Sequence, residues 1–171
     1  IEVPFPPESR LSGIGRELKK GERYLYRRTF EMPDGFEQGR ALLHFGAVDQ
    51  IAEVEINGNV LGTHEGGYLP FSFNIAPYLK EENTLCVRVK DDLDHTYPWG
   101  KQKKERGGMW YTPVSGIWQT VWCEALPASY IRAVKLTPST VGVDFAFDSP
   151  EEVEITLESG EAYTTVGGRA F

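Results

Sequence analysis

The chain has 171 residues, 40% of them hydrophobic and 12% aromatic, enough to bury one full core and part of a second. Twenty-five acidic residues against eighteen basic ones give a net charge of -7, which repels phosphate backbones and anionic lipid surfaces and excludes nucleic acid and membrane as expected partners. The two cysteines, Cys86 and Cys123, sit in separate apolar runs outside any Cys/His cluster, and no apolar stretch approaches the ~20 residues that span a bilayer, so a disulfide scaffold, a zinc site and a membrane helix are not expected.

Residues 24–30 (YLYRRTF) open a series of short alternating runs with the period of a β-strand. His44 alternates with Leu43 and Phe45, as a strand histidine would. Residues 51–56 and 60–62 flank Asn57-Gly58-Asn59, whose Asn-Gly step suits a tight hairpin turn. After Gly66-Gly67, residues 68–75 form another expected strand, with Phe71, Phe73 and Ile75 on one side, and residues 76–80 a short turn of helix. Residues 84–90 place Leu85, Val87 and Val89 on one face and Cys86, Arg88 and Lys90 on the other, which fits an antiparallel sheet with one wet side.

Residues 91–111 break the pattern with charge, glycine and aromatics, and long loops of this kind concentrate function. A strand is expected over 117–124, with Trp118, Thr120 and Trp122 on one face and Ile117 and Val121 on the other. Leu126-Pro127-Ala128-Ser129 reads as a linker, followed by strand candidates at 130–137, 141–147 and 153–158 and a strand-like, glycine-rich end. Many short strands and almost no helical period predict an all-β chain built as a β-sandwich; the pattern alone leaves jelly-roll and immunoglobulin-like topologies open. The chain begins without methionine and is expected to be a piece of a longer protein.

The chemistry-bearing residues are few. No Gly-x-Ser-x-Gly elbow is present, and Gly13-Ile14-Gly15 lacks the remainder of a phosphate-binding pattern, so neither acyl transfer nor nucleotide binding is expected. Asp91-Asp92-Leu93-Asp94-His95 follows a strand end and offers carboxylates to a hard cation, to sugar hydroxyls or to water, but its spacing departs from a calcium loop and no metal site is assigned. Trp99 and Trp110 lie in the long loop, where an indole either stacks on a pyranose ring or pins the loop to the body.

Several segments, taken in order, resemble one family. IEVPFPPESRLSGIG (1–15), YLYRRTF (24–30), LHFGAVD (43–49), VEING (54–58), LGTHEGGY (61–68), PWGKQ (98–102) and WYTPVSGIWQTVW (110–122) are similar to the N-terminal sugar-binding domain of glycoside hydrolase family 2, which includes β-galactosidases, β-glucuronidases and β-mannosidases. YIRAVKL (130–136) resembles the entry strand of the immunoglobulin-like domain that comes second in these enzymes. The resemblance implies a galactose-binding-like jelly roll over residues 1–127 and a truncated immunoglobulin-like β segment over 128–171.

It also implies a role. Family 2 enzymes use two glutamates on a (β/α)8 barrel, and a retaining pair needs carboxyl groups ~5 Å apart on a rigid frame that this sequence does not provide. The chain is therefore expected to be inactive alone and to serve as an accessory domain beside such a barrel, with a β-linked carbohydrate as partner. In the β-galactosidase branch the jelly roll lends an aspartate from the loop after the strand matched here by residues 84–90. Asp94 is the best match by position and Asp92 the second, with Trp99 and Trp110 as further substrate-binding candidates. Their implied role is hydrogen bonding or stacking rather than proton transfer, and the resemblance leaves room for a sodium, calcium or magnesium ion in the parent enzyme. No other cofactor is expected. An independent carbohydrate-binding module and a structural or oligomer-forming sandwich are the competing readings. Compartment stays unknown, leaning cytoplasmic for the parent, with no leader visible.

Overall fold

The computed structural model describes residues 1–36, 39–93, 95–105, 107–149 and 152–165, and the chain divides into two units, Ile1–Ala125 and Leu126–Phe171. Strands β1 (Arg23–Phe30), β7 (Asn83–Lys90), β4 (Ile51–Ile56) and β5 (Asn59–Glu65) form a four-stranded sheet in that order. Strands β6 (Phe71–Asn74), β2 (Arg40–Phe45) and β9 (Val121–Leu126) form a three-stranded sheet, and the short strands β3 (Val48–Asp49) and β8 (Gly116–Ile117) pair with each other.

Register explains how the core forms. In the antiparallel pair of β4 and β7, Ala52 faces Val89, Val54 faces Val87 and Ile56 faces Leu85, so the apolar side chains of both strands emerge on one face. Ala41, Leu43 and Phe45 of β2, together with Ile75, meet them from the other sheet in one buried cluster. Phe45 is completely buried and stacks on Phe71 with ring centres 4.8 Å apart. Each fully buried side chain of this size contributes roughly 1.5–3 kcal/mol.

The hairpin expected at Asn57-Gly58 is present. Residues 57 and 58 have φ of 52° and 83°, and a two-residue turn with positive φ at both positions matches the twist of the strands it joins. The expected helical turn is a 3-10 turn at Ala76–Tyr78.

Two expectations change. The strand expected over residues 68–75 is paired only at Phe71–Asn74, because Pro70 has no N–H to give to a ladder. The strand expected over 117–124 is interrupted: Trp118 leaves the ladder and donates its Nε1–H to the Gly67 carbonyl at 2.8 Å, and Gly46 N–H donates to Thr120 O at 2.9 Å. Trp118 and Trp122 therefore do not share one continuous strand face. Trp122 instead stacks on His44, 4.8 Å between rings, and His44 Nε2 lies 2.9 Å from Glu124 Oε2.

In the second unit, β10 (Ala133–Pro138) pairs with β11 (Val143–Asp148), and β12 (Val153–Thr156) with β13 (Ala162–Thr165). Val134 opposes Phe147 and Leu136 opposes Phe145, which gives the first of these hairpins an apolar face. Val134 and Leu136 are both more than half exposed.

Replacing Phe45 by Ala is expected to cost roughly 3–5 kcal/mol in denaturant unfolding of the first unit. Leu25→Ala, on the exposed outer face of β1, is expected to change stability by less than about 0.5 kcal/mol.

Candidate functional site

Side-chain parity along β7 sets the site. Leu85, Val87 and Val89 point into the core, and two residues further on Asp91 is buried as well, while Asp92 falls on the other side. Asp91 Oδ1 accepts the Leu93 N–H at 2.8 Å, in a turn where Leu93 takes a φ of 48°. Asp49, at the end of β3, is buried too. Its carboxyl packs directly against Gly67, so that a Cβ there would collide with it and force the Asp49 side chain or the Gly67 segment to shift.

A third buried carboxyl, Glu8, comes from the segment ahead of β1 and accepts both the N–H (3.2 Å) and the hydroxyl of Ser115. Ser115 Oγ also lies 3.4 Å from the Tyr24 hydroxyl. Burial, followed by the charges of Asp91 and Glu8, pushes the Asp49 carboxyl up to about 7. Burial raises Glu8 as well, against the lowering effect of the Ser115 hydrogen bonds. The phenol of Tyr68, raised first by burial and then by the Asp49 charge, stands between these acids and the long loop. Asp49 thus passes between hydrogen-bond donor and acceptor near neutral pH, and perturbed groups of this kind concentrate at functional sites.

Gln102 organises the loop beside Tyr68. Trp99 Nε1–H donates to Gln102 O at 2.5 Å, Gln102 Nε2–H donates to Trp99 O at 2.7 Å, and Val114 N–H donates to Gln102 Oε1 at 2.6 Å. Tyr68 bonds the Gln102 side chain and lies within reach of Gly100. Backbone bonds between Tyr111 and both Lys101 and Lys103 tie the two arms of the loop together. Trp110 and Tyr111, 46% and 69% exposed, present their rings outward from this frame.

The four residues anticipated from sequence are therefore placed differently. Asp94 lies outside the described residues. Asp92 sits 3.7 Å from both Arg23 Nη1 and Lys90 Nζ, so local cations engage its charge. Trp99 is half-buried, pinned by Gln102 and edge-on to His95. Trp110 is exposed. Asp49 and Glu8 were not anticipated, and Asp91 was noted only as one of the loop carboxylates after the strand; for its burial the parity of residues 85–89 was the available signal, whereas Glu8 has none in its local sequence. Among the described residues no group of three or more His, Cys, Asp or Glu is disposed to hold a metal ion.

Comparison with known proteins identifies the family. Residues 16–136 match the family described as glycosyl hydrolase 2 galactose-binding domain-like. A β-galactosidase of Thermoanaerobacter pseudethanolicus is 32% identical over 148 residues, covering 84% of this chain and 18% of the relative. A β-galactosidase of Bacteroides ovatus is 36% identical over 125 residues, 71% of this chain and 13% of the relative. The solved β-glucuronidase of an uncultured Clostridium species shares the fold, with a TM-score of 0.72 at 24% identity over 98% of this chain and 32% of that one. The chain spans less than a fifth of the length of these two curated relatives.

Asp49 binds its proton more tightly folded, at about 7, than in an unfolded chain, at the ordinary 3.8, so folding takes up a proton across that interval. Stability must then fall as pH rises from 3.8 toward about 7 and flatten above it. Asp49→Asn is expected to remove this component, on the order of 4 kcal/mol, from thermal or denaturant unfolding followed across that range.

Proposed function

This chain belongs to the glycosyl hydrolase 2 galactose-binding domain-like family, and we propose that it is a non-catalytic accessory domain of a larger family 2 β-glycosidase. On this reading it offers one end of its sandwich as part of the rim of a carbohydrate site whose catalytic carboxyls stand on a separate barrel. The observation that carries the reading is the junction of buried Asp49 and Asp91 with Tyr68 and, through Gln102, with the loop that exposes Trp110.

The division of labour follows from the contacts. Asp49, Asp91 and Tyr68 supply polar groups for sugar hydroxyls, and Trp110 supplies an apolar ring face. Asp94 joins them as the loop aspartate nearest in position to the one the family uses. Asp92 and Trp99, engaged by Arg23, Lys90 and Gln102, contribute by holding the loop in place. The parent's substrate is a β-linked glycoside, of β-galactoside or β-glucuronide type by similarity to the relatives. Residues 1–127 make up the sugar-binding jelly roll and 128–171 part of an immunoglobulin-like sandwich, a boundary supported by the apolar face that Val134 and Leu136 leave exposed in the second unit. The exposure of Trp110 and Tyr111 supports a second reading, an independent carbohydrate-binding module.

Isothermal titration of the purified chain against galactose, glucuronic acid, mannose and short β-linked oligosaccharides separates the two. The rim reading expects no binding tighter than about 1 mM, which corresponds to roughly 4 kcal/mol. It also expects no turnover of nitrophenyl glycosides by the chain alone. In the full-length parent, Trp110→Ala and Asp94→Ala are each expected to lower kcat/KM by about tenfold or more, a loss of roughly 1.4 kcal/mol of transition-state stabilisation. Tight binding by the free chain would establish the module instead, and an unchanged kcat/KM in both variants would remove the loop from the site.

A further inference from the structure

Asn57-Gly58 is the sequence's only Asn-Gly step, and the fold ties down its side chain. Deamidation begins when the backbone nitrogen of the following residue attacks the asparagine Cγ, and a glycine at that place, having no Cβ, obstructs the attack least. A solvent-facing hairpin turn would leave the reaction free to run. Here both side-chain N–H groups are committed, to Tyr78 O at 2.8 Å and to Asn83 Oδ1 at 2.9 Å, while Asn57 Oδ1 accepts the Thr84 N–H at 2.8 Å. Asn83, itself completely buried, exchanges two 2.9 Å hydrogen bonds with the backbone of Lys80. Asn57 N–H donates to Thr84 O at 2.9 Å, which anchors the backbone beside the amide. One side chain thus bolts together the β4–β5 turn, the 3-10 turn at Ala76–Tyr78 and the start of β7.

We propose that Asn57 is a latent modification site, silent while this bolt is closed and converted irreversibly when the hairpin opens. In the reaction the Gly58 nitrogen, losing its proton, forms a bond to Asn57 Cγ, and the Cγ–Nδ2 bond breaks to release ammonia. Water then opens the resulting succinimide to aspartate or isoaspartate. The product cannot re-form the latch. An aspartate would present carboxylate oxygens to Tyr78 O and Asn83 Oδ1, both acceptors, and an isoaspartate would lengthen the backbone of a two-residue turn by one methylene. Opening and modification therefore reinforce each other, and the modified fraction records how often the turn has been open.

The test incubates the full chain in mildly alkaline buffer, folded and in guanidinium, and follows the one-dalton gain at Asn57 by peptide mapping. Three hydrogen bonds that must break first predict a folded rate at least about tenfold slower than the denatured one. Asn83→Ala, checked for a folded circular dichroism spectrum, is expected to recover most of that difference. If that variant does not fold, the unmodified chain in sub-denaturing guanidinium takes its place, and its rate should climb with denaturant. A folded rate within about twofold of the denatured one, a folded Asn83→Ala chain that reacts no faster, or a rate indifferent to denaturant would each overturn the proposal. These outcomes do not depend on sugar binding.

Discussion

The alternation of side chains along β7 is the constraint from which the rest of the first unit follows. Paired to β1 on one side and to β4 on the other, this strand cannot rotate or slip, since a shift of one residue would carry Leu85, Val87 and Val89 into water and Arg88 into the core. The same parity continues past the end of the ladder. It delivers Asp91 to the inside and Asp92 to the outside, where Arg23 and Lys90 meet it. A hydrophobic requirement along the strand thereby decides where a carboxylate stands beyond it.

Burying three carboxyl groups near one another is unfavourable unless their charge is reduced or satisfied. The structure uses both routes. Glu8 is met by the N–H and hydroxyl of Ser115, and Asp91 by the Leu93 N–H. Asp49, without comparable compensation in its surroundings, keeps its proton to about 7. Core packing does not call for such an arrangement, because apolar side chains of similar volume would fill the space at lower cost. Together with the adjoining Tyr68 and the exposed Trp110, it is the observation on which the proposed rim role rests.

Much of the fold was legible in the sequence because it is written in short-range patterns. Alternation located β1, β4 and β7, and Asn-Gly located the hairpin, since a two-residue turn needs positive φ at both positions. The breaks were not legible. The loss of strand at Trp118 depends on the Gly67 carbonyl, 51 residues away, and no local period reports such a partner. The site shows the same division. Loop composition pointed to 91–111 and to Trp110, but the partners of Asp91 come from the segment ahead of β1 and from β3, which meet it only in the folded chain. The alternation of residues 85–89, continued by two, separates Asp91 from Asp92, but nothing local reports that Glu8 and Asp49 meet Asp91 there.

Gln102 gives the long loop a use beyond connection. Its amide ties Trp99 and Val114 together, and its side chain reaches Tyr68, so the loop's two arms and the neighbouring β5–β6 connection share one fastening. An aromatic on a free loop loses much of its stacking energy to the entropy of being ordered, whereas one on a fastened loop has already met that cost in folding. The indole of Trp99 is held by Gln102 while that of Trp110 is exposed, so on the proposed reading the first would hold the loop still and the second would meet the ligand.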